Sequence, residues 1–147
     1  MKKLYLLMVI AMTIISCFHN EDSGENPINS IEGTWKLFYG SIEENDSLQI
    51  KDVSKSDFIK IINASHFSFF NQVKGTSESF YGGAGTYTLN GNDYVESLNY
   101  IGSTDLRGHK FPFKIELKGD TLIQYGHEKV ETANINRYIV EKYVRIK

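Results

Sequence analysis

The residues with chemistry to offer are few, and they lie on two stretches. In Tyr94-Val95-Glu96-Ser97-Leu98-Asn99-Tyr100, alternation puts Tyr94, Glu96, Leu98 and Tyr100 on one face of a strand. Three of the four favour burial, so the expected orientation is inward, with Glu96 a carboxylate among aromatics. A buried carboxylate must pair, take up a proton or meet a ligand. The opposite orientation turns Val95, Ser97 and Asn99 inward and leaves Glu96 in water. In the second stretch, Ile139, Glu141, Tyr143 and Arg145 share a face opposite Tyr138, Val140, Lys142, Val144 and Ile146. Both faces carry apolar residues, so periodicity leaves this orientation open. With both stretches turned inward, Glu96, Glu141 and Arg145 form a polar cluster at one end of an apolar cavity, and Arg145 is the expected counter-charge for Glu96. Few, convergent polar groups are how small-molecule sites orient their ligands.

Other chemistries find little support. His66, His109 and His127 fall on three different strands or strand ends, without a His-x-His and without a cysteine nearby, so no metal is expected. Gly82-Gly83-Ala84-Gly85 leads into a strand rather than a helix N-terminus, and so lacks the dipole that holds phosphate. Nucleophile elbows, phosphate loops and dinucleotide fingerprints are missing; the reading is of a protein that is not an enzyme and takes no cofactor. A formal net charge of −2 gives no electrostatic footprint for nucleic acid.

The elements that must position these groups read as strands throughout. Trp35, the one tryptophan, opens the first of them after Gly33, with Gly33, Trp35, Leu37 and Tyr39 on one face. Gly40 to Lys55 is polar and is expected to be a loop with a short helical turn near Ser47 to Val53. Strands are then expected at Ser56–Asn63, Ser65–Lys74, Gly85–Leu89, Tyr94–Tyr100, Lys110–Lys118, Thr121–His127 and Arg137–Ile146. Asn90-Gly91 supplies the positive φ of a hairpin turn, and Gly119-Asp120 a second turn. Pro112 argues that Lys110 to Pro112 pairs imperfectly, at an edge or bulge. Eight sequential antiparallel strands avoid exposed edges by closing. Their interior is just wide enough for side chains or one small ligand. The expected fold is an all-β, eight-stranded, antiparallel up-and-down barrel.

The N-terminus reads differently. Lys2 and Lys3 precede the apolar run Leu4 to Ile15, too short to span a bilayer and suited to a signal peptide. The run ends in Ile14-Ile15-Ser16-Cys17, which resembles the lipobox of bacterial lipoproteins, and Cys17 is the only cysteine. The expected organisation is a lipoprotein signal peptide at residues 1–16, a flexible tether at 17–30 and one domain at 31–147. Loss of Lys2 and Lys3 takes the formal charge from −2 to −4. Glu21 and Asp22 resemble the acidic surface-export signals of lipoproteins in some two-membrane bacteria.

From Ile31 onward the chain resembles the lipocalin-like, calycin-type domains of small bacterial lipoproteins of unknown function. The resemblance is carried by Gly33-Thr34-Trp35, Lys60-Ile61-Ile62, His66-Phe67, Gly83 to Leu89, Tyr94-x-Glu96 and Glu141-Lys142-Tyr143-Val144-Arg145. It implies that Arg145 stacks on Trp35 to close one barrel end, a structural role shared with Gly33, and that Glu141, Tyr143 and Arg145 face inward. Tyr39, Phe67, Phe69, Tyr87, Tyr94, Tyr100, Phe111 and Phe113 are expected to define the cavity. Glu96, Glu141 and Arg145 would orient the polar end of a small, mostly apolar ligand. The expected address is the cell envelope, as a monomeric outer-membrane lipoprotein held by lipid at Cys17. The rival is a filled barrel whose surface or loops bind another envelope protein or a glycan. A void of about 300 Å³ or more favours the ligand. Cys17→Ala is expected to move the protein from the membrane fraction to the soluble fraction; retention in the membrane would contradict the lipobox reading.

Overall fold

The computed structural model describes residues 30–147. The expected signal peptide, Cys17 and the tether up to residue 29 lie outside the described residues. Nine strands form one sheet: β1 (Gly33–Glu44), β2 (Ser47–Ile50), β3 (Ser56–Ile62), β4 (His66–Val73), β5 (Tyr81–Asn90), β6 (Asp93–Ile101), β7 (His109–Lys118), β8 (Thr121–Val130) and β9 (Ile135–Ile146). All neighbours are antiparallel, and β1 pairs with β9 from Thr34–Ile146 to Glu43–Tyr138, which closes an eight-stranded barrel of β1 and β3 to β9.

β2 is the extra strand, and it replaces the expected loop with its helical turn. Asn45 and Asp46 sit at φ +50° and +58°, the primed-turn geometry that folds a chain back tightly. Ser41 to Glu44 therefore pairs with β2, while Gly33 to Lys36 pairs with β3. The chain leaves β2 at Lys51, whose N–H donates to the Gly40 carbonyl at 2.8 Å.

The two barrel ends differ. At one end the connections β3–β4, β5–β6 and β7–β8 are two or three residues long. There Trp35 is fully buried, and its Nε1–H donates to the Ile31 carbonyl at 2.8 Å. The Arg145 guanidinium lies 4.1 Å from the Trp35 ring centroid, and its two terminal nitrogens donate to the Glu32 and Ser30 carbonyls at 2.5 and 2.7 Å. Gly33 makes this possible: its φ is +140°, and a Cβ there would sit 2.5 Å from Arg145 Nη1. At the other end stand the longer connections, and β7 and β8 part company. β7–β8 pairing begins at Phe113–Gly126, leaving Lys110 to Pro112 paired with β6 alone. This is the imperfect pairing that Pro112 forecast, since proline has no N–H to offer a second neighbour.

Two bulges change which residues face inward. The β1–β9 register slips between Leu37 and Tyr39, so Phe38 is the extra residue and Tyr39 turns outward beneath Lys142, whose Nζ lies 4.9 Å from its ring. The β5–β6 register slips between Ala84 and Gly85, making Asn99 the extra residue. Tyr94, Glu96 and Leu98 stay inward, while Tyr100 turns out and is 69% exposed. Strict alternation had placed Tyr39 and Tyr100 in the cavity.

Trp35→Ala is expected to cost about 3–5 kcal/mol, as large aromatic truncations in cores do. The native emission maximum, from the sole tryptophan, should be blue-shifted. A water-exposed maximum would contradict the closed end described here.

Candidate functional site

The interior polar groups arrive from five places in the chain. Lys60 comes from β3, Glu96 from β6, Gln124 from β8, Glu141 from β9, and Lys51 from the segment after β2. The first four are 2–6% exposed. Strand register explains why they meet. Lys60 is opposite the inward Trp35 and Phe69, Glu96 is opposite Phe111, and Gln124 is opposite both Ile115 and Glu141.

Lys60 Nζ donates to Glu96 Oε1 at 2.5 Å and to Gln124 Oε1 at 2.6 Å. It also lies 5.6–5.7 Å from the ring centroids of Phe67, Tyr94 and Tyr143. Three rings below and two oxygens beside it make a cage for one cation. Glu141 is fully engaged: Oε1 accepts from Lys51 Nζ at 2.6 Å, and Oε2 from the Tyr143 hydroxyl at 2.5 Å. Lys51 reaches it because Gly40 has no side chain; a Cβ there would meet Lys51 Cδ at 2.7 Å.

The two carboxylates differ electrostatically. Burial raises the Glu96 pKa above its ordinary 4.5, Lys60 only partly offsets this, and the Glu141 charge adds to it. Burial acts the same way on Glu141, but Lys51, Lys60 and the Tyr143 hydroxyl together outweigh it, and its pKa is lowered. Burial and Glu96 push the Tyr94 phenol upward. Its hydroxyl is enclosed and accepts or donates no hydrogen bond among the described residues. It lies close enough to Glu96 for each group to shift the other's titration.

Above this polar layer lies a half-open cavity of about 230 Å³. Its apolar wall includes Phe58, Phe69, Leu98, Phe111, Phe113 and Ile139; Lys51, Glu96, Gln124, Glu128, Arg137 and Glu141 supply its polar lining. Arg137 Nε donates to Glu128 at 2.5 Å. The volume falls short of the ~300 Å³ expected above for a ligand site, so size alone does not favour the ligand over a filled barrel. A larger depression of about 470 Å³ lies beside the β1–β2 turn, but it is shallow and open to solvent, and its lining residues are mainly polar.

Of the residues expected at the cavity, Phe69, Phe111, Phe113, Glu96 and Glu141 line it. Phe67 and Tyr94 lie beneath it, under Lys60. Tyr87 seals the closed end, its hydroxyl donating to the Asn63 carbonyl at 2.7 Å. Tyr39 and Tyr100 are outside, for the reason given above. Arg145 caps Trp35 instead of joining Glu96 and Glu141, so the expected Glu96–Arg145 pair is replaced by Glu96–Lys60. Lys60, Lys51 and Gln124 were missed. Lys60 could have been found from its place in phase with Phe58 and Ile62.

The opposite pKa directions give opposite pH dependences. Glu141, lowered, adds stability above about 4.5 and gives it up as pH falls through its native value. Glu96, raised, adds stability below about 4.5 and gives it up as pH rises through its native value. Relative to the unaltered chain, Glu141→Gln should therefore gain stability on acidification and Glu96→Gln on alkalinisation. Urea denaturation from about pH 3 to 8 checks this; parallel profiles for the two variants would contradict it.

No curated protein and no solved structure matches the chain. The family described as Domain of unknown function (DUF4488) matches residues 30–147, nearly all of the sequence after the apolar N-terminal run, and the chain belongs to that family.

Proposed function

We propose that this is a lipid-anchored, lipocalin-like protein of the bacterial cell envelope that holds a small, mostly apolar ligand in the open half of its barrel. The observation that carries the reading is the cavity of about 230 Å³, walled by phenylalanines and floored by an internal ion network. An apolar cavity of ~150 Å³ accommodates benzene, so this one has room for a fused bicyclic ring. The anchor rests on the lipobox-like Ile14-Ile15-Ser16-Cys17 and on Cys17 being the sole cysteine. No catalytic role is assigned to Glu96 or Glu141, because each is paired with a lysine.

The rival, a surface interaction module, draws support from Leu48, Ile50, Phe80, Tyr81 and Tyr100, which are 52–69% exposed on the β2 strand, in the β4–β5 connection and on nearby strand ends. Binding of naphthalene separates the two. A ligand that binds only the folded state stabilises it by RT ln(1 + [L]/Kd), about 2.7 kcal/mol at a hundredfold excess over Kd. Naphthalene is expected to raise the Tm of the unaltered protein but not of Leu98→Phe, which fills the cavity. Absence of any shift in the unaltered protein would contradict the ligand reading.

A further inference from the structure

The floor of the cavity holds two polar atoms that the protein leaves unused. Lys60 takes Glu96 Oε1 and Gln124 Oε1. Among the described residues, Glu96 Oε2 and Gln124 Nε2 have no partner. The amide orientation follows from the ammonium, which requires the Gln124 oxygen and so turns the NH2 group away. Neither unused atom is sealed in protein, in contrast to the Tyr94 hydroxyl, and both residues line the cavity. Glu96 is 6% exposed and Gln124 2%, so the small surface they retain is surface of the cavity. One acceptor and one donor thus belong to two side chains held by the same lysine.

Charge limits what can bind there. Glu96 is paired with Lys60, Glu141 with Lys51 and Glu128 with Arg137. The acids and cations at the cavity thus balance pair by pair, and a ligand bringing a net charge would lose its hydration and upset that balance. Glu141 has both oxygens engaged, whereas Glu96 has one oxygen on Lys60 and one to spare.

We infer that Glu96 and Gln124 read the edge of a neutral, flat ligand of the cyclic-amide class, whose N–H donates to Glu96 Oε2 while its adjacent carbonyl accepts from Gln124 Nε2. The ring body then lies against Phe111, Phe113 and Phe69. This rests on the cavity being a ligand site, and it names the chemistry read there.

Titration calorimetry with four probes tests it on the full folded domain. The bicyclic lactam 2-quinolone should bind at least about tenfold more tightly than N-methyl-2-quinolone or naphthalene, because a missing partner leaves a buried polar group unpaired. Quinoline-2-carboxylate, which is charged, should bind more weakly than 2-quinolone. In Gln124→Met the preference for 2-quinolone over naphthalene should fall close to one, with naphthalene affinity changed by less than about twofold, since its contacts are apolar. The comparison of probes on the unaltered chain stands even if that variant does not fold. Equal binding of 2-quinolone, its N-methyl derivative and naphthalene would overturn the inference and leave the cavity reading intact. Tighter binding of the carboxylate would overturn the neutral-ligand assignment. Binding of none of them would overturn both.

Discussion

A single buried ammonium, that of Lys60, sets the arrangement of everything inside this barrel. Taking a lysine and a glutamate out of water costs several kcal/mol per ion, and their attraction offsets this only when the remaining hydrogen-bonding capacity is also filled. Here Glu96 and Gln124 supply the oxygens, and the faces of Phe67, Tyr94 and Tyr143 stabilise the rest of the charge. Removing one partner of such a pair costs ~3–5 kcal/mol, because the other charge is then left unpaired. The strands that carry these groups, β3, β6 and β8, are thereby held in one register around the interior. Trp35, directly opposite Lys60 on β1, completes the layer below.

From this layer the two halves of the barrel diverge. Below it, Trp35, Arg145 and Gly33 pack without room for anything else. Above it, small residues and interrupted pairing leave space. Gly83 faces the interior, where a Cβ would fall 2.8 Å from the Phe69 ring. β7 and β8 separate beyond Pro112 and Gly126, so the wall opens on the side lined by Phe111 and Glu128. The result is a shallow apolar cup on a rigid polar floor, with Lys51 reaching across from the β2–β3 connection to Glu141. Lys51 is about one-third exposed, and it stands where a ligand would enter.

Much of this was legible in the sequence, and the failures have physical causes. Period-two alternation located the barrel strands, and Gly33, Trp35 and Arg145 foretold the closed end. Glu96 was read as inward because Tyr94 and Leu98 accompany it, and so it is. The bulges at Phe38 and Asn99 were invisible, because one extra residue leaves the local pattern intact while reversing every later side chain. That is why Tyr39 and Tyr100 were misplaced. Lys60 was missed although it alternates in phase with Phe58 and Ile62; a lysine ordinarily marks the wet face, and only a carboxylate three strands away makes it an interior residue. Lys51 could not be read from periodicity at all, since a hairpin and the lack of a side chain at Gly40 bring it inside.

The central claim is that the open half of the barrel is a site for a small ligand seated on the Glu96–Lys60–Gln124 floor. The most direct measurement is a crystal structure of the protein isolated from the cells that make it. Density for a compact molecule among Phe69, Phe111 and Phe113, with polar atoms within hydrogen-bonding distance of Glu96 and Gln124, is the predicted result. A cavity collapsed onto its own side chains, with no space above Glu96 and Gln124, would contradict it.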